Sequence, residues 1–247
     1  MGYLSKQALS GLKHYAYKPG GYTILDNWHQ PFWNYTVELL PMWLAPNLVT
    51  LTGLAAVFAA TLTGWYYDPD LLQESPRWVF GLMAFAQFFY LHVDCLDGKQ
   101  ARRTGSSSPL GQLFDHGCDT LVIQFVLATL VTSLDVPPSW MLTLGTLVIC
   151  TPFIMAHWEE YHTGTMVYGN GLWGVTEANY AVVLLHFVSF VFGTGFWTAA
   201  PLAALAPAAA AWLRARACPR RPRWSASWPR CPRTASRCWA WPSWARS

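Results

Sequence analysis

Five apolar runs, approximately Leu44–Tyr67, Trp78–Val93, Leu113–Ser133, Trp140–Ala156 and Ala178–Trp197, approach the roughly 20 residues that a helix needs to cross a bilayer. Runs of this length, packed into 247 residues, restrict the chain to few folds. As buried helices of a soluble protein they would leave too little polar surface to cover them. Composition agrees: only 12% of residues are charged, against about a quarter in soluble domains. The expectation is an all-α, polytopic membrane helical bundle with a core of about five to six transmembrane helices. Residues 1–44 read as a cytosolic or interfacial amphipathic segment, 45–197 as the transmembrane core, and 198–247 as an Ala/Pro/Arg/Trp-rich tail.

The first 44 residues have no apolar core of the signal-peptide kind. Lys6, Lys13 and Lys18 make the arm basic. Trp28, Phe32, Trp33, Tyr35, Leu39, Leu40, Trp43 and Leu44 follow, a pattern that suits a helix lying among lipid headgroups, where indole and phenol rings prefer to sit. Basic residues before the first run and Lys99, Arg102 and Arg103 after the second place both on the cytosolic side, while the connector DPDLLQESPR is mostly acidic. By the same alternation LDVPPSW is lumenal and AHWEEYHTGTMVYGNG cytosolic. The sequon Asn34-Tyr35-Thr36 then falls on the cytosolic side and is expected to stay unmodified. All 13 acidic residues lie at or before Glu177, whereas nine arginines follow position 213. The basic balance therefore belongs to the tail, and no nucleic-acid partner is inferred.

Residues 94–119, DCLDGKQARRTGSSSPLGQLFDHGCD, carry four carboxylates between apolar runs. Asp94 and Asp97 are three apart; Asp115 and Asp119 are four apart. On helices both spacings put a pair on one face, and two such helices side by side would aim four acids at a shared point. Uncompensated, they would repel severely in a low-dielectric setting. One or two divalent cations resolve the repulsion, and hard carboxylate oxygens favour Mg²⁺, Mn²⁺ or Ca²⁺ over zinc. Gly98, Gly111 and Gly117 leave room for a phosphate-bearing ligand, and Arg102 and Arg103 offer it charge. The alternative, a solvated loop in which the acids pair with Lys99, Arg102 and Arg103, leaves Asp115 and Asp119 unexplained inside an apolar run. The pattern points to phosphoryl chemistry on a nucleotide or diphosphate.

The string Asp94-x2-Asp97-Gly98-x2-Ala101-Arg102-x8-Gly111-x3-Asp115-x3-Asp119 resembles the signature of the CDP-alcohol phosphatidyltransferase family. DGKQARRT, SSSPLG, LFDHGCD, QPFWN, WLAPNLVTL, HWEEYHTGT and VTE look like its choline/ethanolamine phosphotransferase branch, over roughly residues 1–197. The resemblance implies an endoplasmic reticulum or Golgi membrane enzyme whose active site faces the cytosol. Such an enzyme transfers phosphoethanolamine or phosphocholine from CDP-ethanolamine or CDP-choline to diacylglycerol and releases CMP. It implies two Mg²⁺ or Mn²⁺ ions on Asp94, Asp97, Asp115 and Asp119. It also implies nucleotide contacts from Asn47 and Arg102, beside the space already read at Gly98 and Gly111, and His116 as proton acceptor for the diacylglycerol hydroxyl. The lipid bilayer and a second copy of the chain are the macromolecular partners expected. A prenyltransferase is disfavoured, because its Asp-rich motifs lack the Gly-x2-Ala-Arg continuation.

One departure bears on catalysis. The branch usually carries Glu one turn before this histidine; here it is Gln112. An amide can orient imidazole but cannot stabilise its protonated form as a carboxylate would. His116 is therefore expected to act more weakly, or with help from Glu159 or Glu160. The alternative is a catalytically silent relative that binds metal and nucleotide only. Gly169-Asn-Gly-Leu-Trp-Gly174 spells a dinucleotide fingerprint but follows no strand, and His157 and His162 miss the zincin spacing. Cys95, Cys118 and Cys150 read as small free packing residues. After Trp197 the chain lacks acids and is rich in Pro and Arg. It resembles no part of the family there, so a truncated or frame-altered terminus is the expectation, with an Arg/Trp membrane-surface tail as alternative.

Overall fold

The computed structural model describes residues 5–14, 17–69, 75–136, 140–167 and 169–198. The tail expected to be atypical lies outside the described residues but for Thr198. Eight helices are found among them: α1 (Lys6–His14), α2 (Ile24–Leu39), α3 (Pro46–Tyr67), α4 (Arg77–Arg103), α5 (Pro109–Ser133), α6 (Trp140–Thr163), α7 (Val175–Phe192) and the single turn α8 (Gly195–Thr198). Helices α3, α4, α5 and α7 are long and apolar enough to cross a membrane. The 24-residue α6 coincides with the remaining apolar run and extends it through His157 and Glu160 to Thr163.

Helix α4 is the centre of the bundle and packs against α3, α7 and α2, while α5 packs mainly on α3. Glycines set how closely these axes approach. A Cβ on Gly53 of α3 would meet the Tyr90 ring at 3.2 Å, and one on Gly81 of α4 would meet the Phe190 ring at 3.0 Å. Side chains from both partners then fill three apolar clusters, with Trp33, Val37, Val49, Val93 and Leu96 forming the one beneath α2. Polar pairs lock the same interfaces. Gln87 of α4 donates to Asn179 of α7 at 2.5 Å, and buried His186 of α7 contacts Ser133 of α5 at 2.7 Å. Buried amides and hydroxyls settle only where such partners exist.

Helix α2 begins with a capping box, in which Thr23 accepts from the Asp26 amide while the Asp26 carboxylate accepts from that of Thr23. Its inner face buries Asp26, His29, Trp33 and Val37. Trp28, Phe32, Tyr35 and Leu39 remain exposed on the outer side, with Trp28 at 74%. The aromatic stretch thus divides, with Trp33 serving the core and the others forming the rim expected of a headgroup helix. Trp33 Nε1 donates to His92 Nδ1 on α4 at 3.0 Å. Near the other end, Gln100 of α4, wholly buried, donates to the carbonyls of Pro41 at 2.9 Å and Leu44 at 3.1 Å.

Arg103 and Lys99 serve the same union. Arg103 Nη1 donates to the carbonyls of Val37 at 2.9 Å and Leu40 at 2.7 Å, and its Nε lies 3.3 Å from Glu38. Those carbonyls belong to the last turn of α2, where no further turn supplies donors. Lys99 donates to Gln30 at 2.7 Å and Asn34 at 2.8 Å. The expectation that Arg103 supplies charge to a phosphate is corrected here: its guanidinium is committed to the end of α2.

Candidate metal and nucleotide site

The second apolar run does not end at Val93. Helix α4 continues for ten residues, so Asp94, Gly98 and Arg102 recur at intervals of four along one helical face. After five intervening residues α5 starts, with Ser108 accepting from the Gly111 amide at 3.1 Å and Pro109 in the first turn. The short turn and the α3 platform bring the two acidic pairs together. Ligand oxygens of Asp94, Asp97 and Asp115 all lie within 4.8 Å of one another. Asp119 adjoins Asp94, and Asp115 adjoins Asp97.

Neighbouring hydroxyls fix two of these carboxylates. Thr50 of α3 donates to Asp97 Oδ2, and Tyr90 of α4 donates to Asp119 Oδ1 at 2.5 Å. No ion pair reaches the four acids from a described basic residue, since Lys99 and Arg103 face α2. One oxygen, Asp115 Oδ1, is buried with no hydrogen-bond partner among the described residues. An orphaned carboxylate oxygen among three converging acids is costly unless a cation completes it. This donor set, all hard oxygen, fits a divalent cation of the Mg²⁺ or Mn²⁺ kind.

The surrounding residues leave space on one side. A Cβ on Gly98 would meet only the Arg102 guanidinium, at 3.6 Å, and one on Gly117 would meet nothing within 4 Å. Asn47, exposed in the first turn of α3, comes near Gly111, whose Cβ would lie 3.8 Å from its side-chain oxygen. Asn47 and Arg102 therefore sit exposed at the open edge of the cluster, from different helices. His116, one residue after Asp115, turns toward α6, where its Nδ1 is 2.9 Å from His157 Nε2. Gln112 donates to Glu160 at 2.8 Å.

Sequence reasoning missed Tyr90, Thr50 and the pairing of His157 with His116. Of the two glutamates offered as helpers, Glu160 is the one held on the α5 side by Gln112. The glycine string 169–174 forms a tight loop, bridged from Gly169 to Gly174 and closed by Asn170 Oδ1 accepting from the amides of Leu172 and Trp173. It delivers Gly174 as the cap of α7, and no strand precedes it among the described residues. Cys95, Cys118 and Cys150 are free thiols.

A helical bundle with membrane-crossing apolar helices and an acidic cluster at the junction of two of them defines a polytopic membrane protein with a carboxylate site suited to a divalent cation. Residues 43–213 match the model of the CDP-alcohol phosphatidyltransferase family, past the limit near Trp197 expected from the motifs, and the chain belongs to that family. It is 40% identical over 196 residues to a cholinephosphotransferase 1 of Gallus gallus, covering 78% of this chain and 58% of the relative. Identity to the Danio rerio cholinephosphotransferase 1 is 38% over 196 residues, 78% of this chain and 50% of that protein. An uncharacterized CDP-alcohol phosphatidyltransferase class-I family protein 2 of Dictyostelium discoideum is 39% identical over 197 residues, 79% of this chain and 48% of that protein. The chain spans about half the length of the curated relatives it matches.

Proposed function

We propose that this protein transfers phosphoethanolamine or phosphocholine from a CDP-alcohol to diacylglycerol, forming the phospholipid and CMP in an endoplasmic reticulum or Golgi membrane. The observation that carries the reading is the convergence of carboxylate oxygens of Asp94, Asp97 and Asp115 within 4.8 Å of one another, together with the buried Asp115 Oδ1 that has no hydrogen-bond partner among the described residues. Those three, with Asp119 beside them, would hold one or two Mg²⁺ or Mn²⁺ ions. Bound there, the ions supply charge neutralisation of a diphosphate during in-line displacement. Arg102 and Asn47 bind the nucleotide portion at the open edge, and Gly98, Gly111 and Gly117 admit it. His116 accepts the proton of the attacking alcohol, a weak nucleophile that gains from a base within hydrogen-bond reach.

Position accounts for the two unlike substrates. The cluster lies where apolar helices meet a polar turn, so a nucleotide reaches it from water and a diacylglycerol from lipid. Cytosolic lysines and arginines favour access from that side. The test is an assay of the full chain in membranes with radiolabelled CDP-ethanolamine, CDP-choline and diacylglycerol, with and without a chelator. Labelled phospholipid that requires added Mg²⁺ or Mn²⁺ and is lost in Asp115→Asn supports the reading. Cation-dependent CDP-alcohol binding without product identifies the silent, binding-only alternative. The ratio of the two products reads the head-group preference.

A further inference from the structure

Three polar contacts join helices α5 and α6 among the described residues; Gln124 Nε2 reaches Cys150 Sγ at 3.5 Å, and the other two lie one turn apart beside the acidic cluster. On α5, Gln112 and His116 are four residues apart; on α6, His157 and Glu160 are three apart, so each pair shares a face. The Gln112 amide meets Glu160 at 2.8 Å. His116 Nδ1 meets His157 Nε2 at 2.9 Å, with ring planes at 89° and centroids 4.7 Å apart. At that separation an N–H in the plane of one ring can reach the in-plane lone pair of the other.

The far side of His157 decides the direction of this bond. Its Nδ1 lies 2.8 Å from the Phe153 carbonyl oxygen, and the Phe153 ring packs against it at 4.5 Å. A carbonyl has no hydrogen to give, so the proton is on His157 Nδ1. A neutral imidazole carries one N–H, so His157 Nε2 is an acceptor. His116 must then donate from Nδ1, and its lone pair lies on Nε2.

We propose that His157 is the positioning residue of this active site: anchored on the Phe153 carbonyl, it holds His116 as the Nδ1–H tautomer and leaves Nε2 to take the acceptor alcohol's proton. This rests on the transfer reading above. In the step it serves, the alcohol O–H breaks, its oxygen forms the new bond to phosphorus, and the proton goes to His116 Nε2. The P–O bond to CMP breaks, and its electron pair leaves with CMP. Because Gln112 is engaged with Glu160, α6 rather than α5 supplies the acceptor that orients the imidazole.

Two variants and one direct measurement test this in the full chain. His157→Leu removes the acceptor, while His157→Gln keeps a side-chain oxygen of comparable reach. The expected result is a fall in kcat of about 10–100-fold for the Leu variant, the size usual for losing an orienting partner, with KM for both substrates little changed. The Gln variant recovers most of the loss. Nitrogen-15 NMR of histidine-labelled protein, with His116 assigned by its loss in His116→Gln, should show a protonated Nδ1 in the wild type and in His157→Gln. In His157→Leu the two tautomers should mix. A wild-type His116 protonated at Nε2 overturns the proposal, as does an unchanged kcat in His157→Leu. Should the wild type transfer neither head group, the reading of function fails, while the tautomer measurement, which needs no turnover, still decides the role of His157.

Discussion

Tyr90 and Asp119 join α4 to α5 through a hydrogen bond of 2.5 Å, in which the phenol donates to the carboxylate. Tyr90 stands four residues before Asp94, so the helix that offers one acid also steadies another on its neighbour. Thr50 does the same for Asp97 from α3. Outer partners of this kind fix how a ligand oxygen faces a cation. Tyr90→Phe and Thr50→Val should each raise the Mg²⁺ concentration needed for half-maximal transfer by about 10–100-fold, with smaller losses at saturating Mg²⁺. A metal titration of the transfer rate measures this, and unchanged dependence in both variants would remove the hydroxyls from the site.

Gly98 separates folding from binding. Its added Cβ would touch only the end of Arg102, at 3.6 Å, and alanine is favoured over glycine inside a helix by about 1 kcal/mol. Gly98→Ala should therefore keep or raise Tm in detergent while raising KM for the CDP-alcohol several-fold. Intact affinity in a stably folded variant would show that no substrate approaches this face.

Gln112 and Glu160 form a pair whose charges can be exchanged. Gln112→Glu sets a carboxylate against a carboxylate now held at 2.8 Å, so the single variant should lose turnover and stability rather than gain them. Adding Glu160→Gln to it should restore much of both. A double-mutant cycle should yield a coupling of about 0.5–3 kcal/mol, the range for directly contacting residues. A gain from Gln112→Glu alone would instead show that His116 needs a carboxylate from its own helix.

Gln100 offers a stability test away from the chemistry. It is fully buried and satisfies two carbonyls of the α2–α3 connection. Gln100→Leu leaves those carbonyls without their donor and should lower stability by about 1–3 kcal/mol, read as a drop in Tm. An unaltered Tm would mean that water takes over the role of the amide.

The acidic pairs were legible in the sequence because spacings of three and four become a shared face once a helix forms, and α4 and α5 do form there. The role of α2 was half legible. Its aromatic content suggested a helix with an exposed apolar edge, which Trp28, Phe32, Tyr35 and Leu39 supply, but Trp33 turns inward to bond His92, 59 residues away. Thr50 with Asp97 and His157 with His116 are separated by 47 and 41 residues. Such pairings arise from the way whole helices stack, and no local period records them. Arg103 misled for a related reason: its neighbours in sequence suggested a phosphate, yet the carbonyls that claim it come from another helix.

Lys99, Gln100 and Arg103 all grip α2 and its connection from the same three turns of α4 that carry Asp94 and Asp97. The aromatic-edged helix and the acidic end of α4 are thereby tied together by direct hydrogen bonds. A displacement of α2 would be transmitted to the carboxylates, so the depth of its aromatic edge and the height of the acidic cluster are linked.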